Sequence, residues 1–136
     1  MNYKKVLISG LAAGFVILAV EFFLGYALSA DYTTTPQIWK PMTEMWYYQI
    51  FALYFIEGII YAAAFSVLQN SIPGKGWKKG QNFGLLVWIV ATVPGMLMTY
   101  FTMAVPDAIV LSWLLGGLIS IVFAGIVISL VQNRLH

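Results

Sequence analysis

Cysteine is absent from this 136-residue chain, and the one histidine, His136, is its last residue. Without thiols there can be no disulfide bond, thiolate metal site, iron–sulfur cluster or cysteine nucleophile. A single terminal imidazole also excludes a bis-histidine haem or a histidine metal cage within one chain. We therefore predict no metal and no cofactor, and no set of residues indicates an enzyme.

Charge is also scarce, because only 9% of the residues are charged whereas 61% are hydrophobic. A soluble protein of this size needs more polar surface to face water. Four apolar stretches are each long enough to cross the ~30 Å hydrocarbon core of a bilayer, and they cover residues 6–30, 46–69, 83–105 and 108–131. The chain is thus predicted to be all-α, a single four-helix transmembrane bundle over residues 1–136. Its expected partner is the lipid bilayer and not a nucleic acid.

The basic residues are distributed unevenly. Six of the seven fall on one predicted side of the membrane: Lys4, Lys5, Lys75, Lys78, Lys79 and Arg134. Because Lys and Arg near span ends resist translocation, this pattern predicts a multi-pass protein of the cell membrane with both termini in the cytoplasm. Lys75, Lys78 and Lys79 share a Gly-containing turn, which we expect to contact anionic lipid headgroups.

Aromatic residues are concentrated in the first connection and at the start of the second span, at Trp39, Trp46, Tyr47 and Tyr48. Rings of this kind form belts at membrane–water interfaces, where the apolar part is buried and the polar group is wet. A membrane-surface loop is one interpretation. The alternative is a lid over a ligand.

Short similarities between the two halves indicate a repeat. Lys4-Lys5 with Gly10-Leu11 recurs as Lys78-Lys79 with Gly84-Leu85, and residues 66–70 resemble residues 129–133. These matches predict two helical hairpins of the same topology, with Gly10 equivalent to Gly84. Chance similarity is the alternative for segments this short.

The first two spans each carry one carboxylate. Gly10, Gly14 and Glu21 lie within a sector of about 80° on the first span, and small residues let a neighbouring backbone approach closely. We therefore expect this sector to face protein and to take Glu21 inside. On the second span, Glu57 lies between Tyr54 and Tyr61 on one stripe.

Both carboxylates are predicted to lie roughly 14 to 17 Å below the outer surface, so that Glu21 and Glu57 can meet if the two helices are neighbours. Two ionised acids at close range are disfavoured, and at least one would then be protonated near neutral pH. Acids inside a membrane are costly and are functional candidates for that reason. We predict a proton or ligand site formed with Tyr54 and Tyr61. The alternative is that the acids only hydrogen-bond neighbouring helices.

The third span has a polar stripe that includes Trp88, Thr92 and Thr99, and Pro94 predicts a kink in its middle. A polar cavity between this stripe and the two carboxylates is one possibility, and tight packing is the other. The last span has two ridges of small residues, one through Gly116 and Ser120 and one through Gly117 and Gly125. We expect one ridge to serve the bundle and the other a second copy or a foreign subunit.

These features together resemble two groups of proteins. The basic N-terminus, Gly-rich first span, aromatic loop and small-residue last span resemble uncharacterised four-helix membrane proteins of bacteria and archaea, which implies no activity. The chain also resembles small multidrug resistance transporters, in which Glu21 would match the essential first-helix glutamate and Gly116-Gly117 the dimerising face. That resemblance implies proton-coupled transport. The chain departs from it in its long external loop, its second acid Glu57, its uneven charge and Pro94.

Three functions follow as expectations. The first is a structural or accessory membrane protein that acts as an oligomer or as a subunit of a complex, because small-residue ridges are abundant. The second is a proton-coupled transporter or binder that uses Glu21 and Glu57 and takes a small apolar or cationic ligand. An enzyme is the third and has least support.

Overall fold

A computed structural model describes residues 2–28 and 32–135, and over these residues the chain forms four long helices and no strand. They are α1 (Tyr3–Ala27), α2 (Glu44–Leu68), α3 (Trp77–Thr102) and α4 (Asp107–Arg134). Each is long and apolar enough to cross a membrane. The predicted all-α bundle of four membrane-spanning helices is therefore confirmed.

The helices are packed so that α1 lies between α2 and α4, whereas α3 packs chiefly against α4. Successive helices are antiparallel, so both termini lie at the same end of the bundle, which we call the terminal end. The opposite end, the loop end, carries the connection of residues 32–43 and the turn between α3 and α4. A short 3-10 turn, Pro36–Ile38, lies within the longer connection.

Local chemistry explains where the helices begin. The Asn2 side chain accepts hydrogen bonds from the backbone N–H groups of Lys4 and Lys5 at 3.1 and 3.3 Å, and Thr43 caps α2 in the same way. The predicted end of the first span, residue 30, lies outside the described residues.

The third helix begins six residues before its predicted start at residue 83. Gly74 and Gly76 have φ values of +101° and +56°, conformations that L side chains rarely adopt, and they reverse the chain within a short turn. Lys78 and Lys79 therefore lie in the first turn of α3 and not in the connection. Hydropathy alone predicts a loop for these two lysines. Charged residues occur both at helix ends and in turns, so hydropathy does not distinguish the two.

The crossing of α1 and α2 depends on glycine. A Cβ atom built on Gly10 would lie 2.6 Å from the Cα of Ile59, and one built on Gly14 would lie 2.7 Å from the Cα of Phe55. A Cβ on Gly58 would lie 2.5 Å from the backbone nitrogen of Gly14. The two backbones are therefore in direct contact, as the GxxxG pair predicts.

The crossing of α3 and α4 repeats this geometry. A Cβ on Gly80 would lie 2.6 Å from the Cα of Ile126, and one on Gly84 would lie 2.6 Å from the Cα of Val122. A Cβ on Gly125 would meet the same three kinds of atom as one on Gly58: the carbonyl oxygen of the first glycine of the pair, and the nitrogen and Cα of the second. The two hairpins are therefore packed alike.

This packing corrects the register of the predicted repeat. Gly10 is equivalent to Gly80, seventy positions later, and not to Gly84. The same shift relates Gly14 to Gly84, and a shift of sixty-seven positions relates Gly58 to Gly125. The register predicted from the sequence matches is therefore wrong by about one helical turn. Matching dipeptides do not depend on contacts between helices, whereas the glycines lie where two backbones meet.

Gln132 joins three helices at the terminal end. This residue is 7% exposed. Its side-chain amide donates to the Ser9 hydroxyl at 3.0 Å and to the carbonyl of Ala62 at 3.1 Å, and its oxygen accepts from Ser66 at 3.0 Å. Because every polar atom of this amide group is partnered, the hydrogen bonds fix α1, α2 and α4 in register.

Pro94 distorts α3 at the predicted place. Residues Trp88–Thr92 form one π-helical turn, in which the N–H of Val93 bonds to the carbonyl of Trp88. Proline cannot donate to the preceding turn, and the wider turn accommodates that missing bond. The helix thus has two halves, Trp77–Val87 and Val93–Thr102, on either side of this turn.

We predict that Gly58→Ala and Gly125→Ala each lower the free energy of unfolding by about 1–3 kcal/mol, because the added methyl group must separate two backbones. Gly95→Ala is the matched control, since a Cβ there would meet no atom within 4 Å. Denaturation followed by circular dichroism in detergent micelles measures the three variants. Equal stability of all three would show that the crossings are not close.

Candidate functional site

A cavity of about 890 Å³ lies at the loop end, between the outer halves of α1 and α2 and beneath the loop of residues 32–43. Most of its wall is apolar and aromatic. Glu21 contributes a carboxyl group and Lys40 an ammonium group. The principal aromatic lining residues are Phe22, Tyr26, Tyr32, Trp39, Trp46, Tyr47, Phe51, Tyr54 and Trp113.

The position of the cavity follows from the glycine crossing. α1 and α2 are in backbone contact at Gly14 and Gly58, in the half nearer the terminal end, and the cavity lies between their outer halves beyond that point. Gly25 lies in the separated part and lines the cavity, and a Cβ built on it would meet no atom within 4 Å. The helices therefore leave space where the glycines no longer hold them together.

The loop covers the cavity through three aromatic side chains. The Trp39 ring packs edge-to-face on Tyr32 and on Trp113, with ring centroids 5.1 and 5.8 Å apart. The indole N–H of Trp113 donates to the Tyr32 hydroxyl at 2.7 Å, and that of Trp39 donates to Thr35 at 3.3 Å. Trp113 belongs to the first turns of α4, so these contacts fix the loop to the bundle as a lid. This is the arrangement that the lid alternative describes.

Glu21 lies at the boundary between the cavity and the helix core. It is half-buried, lines the cavity, and accepts a hydrogen bond at 3.3 Å from the hydroxyl of Ser120 on α4. The prediction that α1 carries Glu21 to the inside of the bundle agrees with this contact. Within residues 2–28 and 32–135, no Lys or Arg forms an ion pair with this carboxyl group.

Glu57 lies one layer deeper, on α2. Its carboxyl group accepts a short hydrogen bond from the Tyr61 hydroxyl. It lies within electrostatic range of Glu21, and Tyr54 and Tyr61 lie within range of both acids. In the described part of the chain the two carboxyl groups bond to different partners and not to each other. The four residues predicted as a site are thus neighbours, with Glu21 and Tyr54 facing the cavity.

The predicted site residues of the third helix lie outside the cavity. The Trp88 indole donates to the carbonyl of Leu114 at 2.8 Å, Thr92 packs beside Gly117, and the Thr99 hydroxyl bonds to the carbonyl of Gly95 in its own helix. Of the two possibilities for this stripe, tight packing is the one that the structure has, and Trp88, Thr92 and Thr99 do not line the cavity beside Glu21. The reason is that α3 packs on α4, and the Thr99 hydroxyl satisfies its hydrogen bond within α3.

Both small-residue ridges of α4 pack inside the chain. Gly116 and Ser120 meet Leu24 and Glu21 of α1, whereas Gly117 and Gly125 meet α3. Ser129, at the terminal end of the second ridge, donates to the carbonyl of Gly76 in the turn between α2 and α3 at 2.8 Å. The residues predicted to pack helices therefore do so within one chain, and neither ridge of α4 is left for another.

Sequence reasoning did not assign the roles of three important residues. Tyr32 and Trp113 build the lid although they are separated by 81 positions, and Gln132 joins three helices although it lies at the end of the last span. For Trp113 the repeat offers one clue. Trp113 recurs sixty-seven positions after Trp46, the shift that also relates Gly58 to Gly125, and both tryptophans line the cavity.

No protein-family model matches the chain, and comparison with curated proteins and with solved structures finds no match. The two resemblances therefore stay predictions.

We predict that Trp113→Ala frees the loop, because it removes two aromatic contacts and one hydrogen bond, together worth roughly 2 kcal/mol. Backbone amides of residues 32–43 should then exchange with deuterium roughly tenfold faster or more. Trp77→Ala is the matched control, since Trp77 lies at the terminal end and is 51% exposed. Unchanged exchange in the Trp113 variant would show that the aromatic cluster does not hold the lid.

Proposed function

We propose that this protein binds a small, mostly apolar ligand with a cationic group, in the cavity at the loop end. One observation carries this conclusion: a cavity of about 890 Å³, within the range of known small-molecule sites, is lined by aromatic rings and by the carboxyl group of Glu21. Apolar walls with few polar groups are typical of ligand sites.

The charge of the ligand follows from the surroundings of Glu21. A half-buried carboxylate without an ion-pair partner is poorly compensated, and a cation placed beside it supplies the missing charge. Aromatic faces attract cations as well. Lys40 also lines the cavity, but it is exposed at the rim, where water and salt screen its repulsion.

Each part of the site then has a role. Trp39 and Trp113 cover the apolar body of the ligand, and Glu21 orients its cationic end. Ser120 holds the Glu21 carboxyl group by donating to it. Because this carboxyl group is fixed by α1 and α4 whereas the lid comes from the loop, ligand can enter when the lid opens without disturbing the carboxyl position.

Glu57 offers a link between ligand binding and proton movement. It lies within electrostatic range of Glu21, so a cation at Glu21 changes the field at Glu57 and at the Tyr61 hydroxyl bonded to it. This proximity supports proton-coupled transport as a second candidate function. Binding at Glu21 is required by both candidates.

The orientation in the cell follows from the charge bias. Lys4, Lys5 and Arg134 belong to the terminal end, as do Lys75 in the turn between α2 and α3 and Lys78 and Lys79 in the first turn of α3, whereas Lys40 belongs to the loop end. We propose that the terminal end faces the cytoplasm across the cell membrane and that Lys75, Lys78 and Lys79 contact anionic headgroups. The cavity then opens to the external side.

Gly25→Phe should block the cavity, because the new ring enters open space that the ligand would occupy. We expect the affinity for phenyltrimethylammonium to fall at least about tenfold, measured by quenching of tryptophan fluorescence in lipid nanodiscs. Gly95→Phe is the matched control, as Gly95 also faces open space but lies on α3 outside the cavity. Equal affinity in both variants would place the site elsewhere.

Glu21→Gln should remove the preference for a cation while keeping the shape of the side chain. Native protein is expected to bind phenyltrimethylammonium at least about tenfold more tightly than its uncharged isostere tert-butylbenzene, and the variant should bind both alike. Glu44→Gln is the control, since Glu44 is exposed, lies outside the cavity lining and accepts a hydrogen bond from Tyr48. Tighter binding of benzoate than of the cation would contradict the proposed ligand class and would indicate that Lys40 dominates.

A further inference from the structure

The two hairpins have the same packing within each hairpin, but the two contacts that could join one hairpin to the other differ. In the register set by the glycines, α1 corresponds to α3 and α2 to α4. The contact between α1 and α4 therefore has a counterpart between α3 and α2. The α1–α4 contact extends from Ser9 and Gln132 at the terminal end to Leu24 and Gly116 near the loop end. The contact between α2 and α3 is much smaller, and it includes the rings of Phe65 and Phe83.

At the terminal end the counterpart contact has begun. Ala13 and Gln132, which are 0% and 7% exposed, are buried where α1 meets α4. Their counterparts Phe83 and Phe65 are each 1% exposed, and their rings pack edge-to-face with centroids 5.2 Å apart. Here α3 touches α2 through these two rings.

At the loop end the counterpart contact is missing. Ser120 is 2% exposed and donates to Glu21, which joins α4 to α1. The counterparts of this pair are Leu53, which is 51% exposed, and Ala91, which is also exposed. Neither has a partner of the kind that its counterpart has.

One turn further toward the loop end the same difference recurs. A Cβ on the buried Gly116 would overlap the Leu24 side chain, so these two residues are in contact between α4 and α1. Their counterparts are Gln49 and, because the π-helical turn adds one residue to α3, Gly95, and both are exposed. A groove therefore separates α2 from α3 over the half of the bundle nearer the loop.

The outer half of α3 is held loosely beside this groove. None of the residues Val93–Thr102 is buried, and a second cavity of about 410 Å³ separates this half from α4 near Asp107. The π-helical turn of Trp88–Thr92 divides it from the well-packed inner half. Segments with few buried contacts move at low cost, and π-helical turns and prolines are the usual places for a helix to bend.

We infer that the outer half of α3 swings about this turn onto α2 and completes the second copy of the α1–α4 contact. The movement continues an interface that Phe65 and Phe83 have already begun. It replaces lipid in the groove with helix–helix packing, in which Leu53 meets Ala91. In the repeat, Glu57 of α2 corresponds to Ala124 of α4, which is 0% exposed where α4 packs on α1. Closure of α3 onto α2 therefore covers the Glu57 carboxyl group from the side of the groove. The device therefore controls access to Glu57, and it does not depend on ligand binding at Glu21.

A pair of cysteines tests this closure on a chain that has none of its own. Leu53→Cys with Ala91→Cys, oxidised by copper phenanthroline in proteoliposomes, should form a disulfide within one chain in at least about half of the molecules. Leu24→Cys with Gly116→Cys is the positive control at the complete contact. Leu53→Cys with Ile89→Cys is the negative control, because Ile89 is 56% exposed and lies about 160° around α3 from Ala91.

Three results would overturn the inference. The first is no disulfide in the Leu53 and Ala91 variant, the second is a yield no higher than that of the negative control, and the third is a disulfide only between chains. The third result would assign the groove to a second copy of the protein. Nitroxide labels on the same two cysteines give an independent readout: a short distance beside the long one supports closure, whereas a single long distance contradicts it.

Discussion

Direct contact between helix backbones is the constraint on which this structure depends. In a bilayer the lipid chains are as apolar as the side chains, so helices associate through close packing and hydrogen bonds and not through the hydrophobic effect. Gly58 meets Gly10 and Gly14, and Gly125 meets Gly80 and Gly84, with the same atoms in the same order. The two hairpins thus have the same glycine-mediated packing, and together they form the bundle. The hydrogen bonds of Gln132 join the first hairpin to the last helix.

The same constraint separates the bundle into two halves with different roles. Near the terminal end, glycines and buried aromatic rings leave no space, and Phe65 packs on Phe83. Near the loop end, α1 and α2 separate and an aromatic cavity lies between them. In the second hairpin, the outer half of α3 is held only loosely against α4. The carboxyl groups of Glu21 and Glu57 lie where the packed half gives way to the open half. Function is therefore proposed for the end that packing leaves free.

Much of the fold could be predicted from local patterns. The lack of charge and the length of the apolar runs identified four spans, the spacing of Gly10 and Gly14 predicted a close crossing, and Pro94 marked the irregular turn of α3. Each of these features depends on residues within a few turns of one helix. The same is true of Glu21, whose sector on α1 predicted that it faces protein.

The candidate site was harder to predict, because its contacts join distant positions. No periodicity reveals that Trp113 bonds to Tyr32, or that α3 packs on α4 and leaves the acids to α1 and α2. The sequence pattern therefore placed the polar stripe of Trp88, Thr92 and Thr99 in one candidate site with the acids. In the structure the Thr99 hydroxyl instead bonds to a carbonyl of its own helix. The register of the repeat failed for a similar reason, since it is fixed by backbone contact and not by matching letters.

The central claim is that the carboxyl group of Glu21 receives a cation in the loop-end cavity, and infrared difference spectroscopy in lipid tests it most directly. Addition of phenyltrimethylammonium should change the carboxyl bands of the native protein and of Glu57→Gln, and this change should disappear in Glu21→Gln. A spectrum that does not respond to the cation, or a response that persists without the Glu21 carboxyl group, would contradict the account.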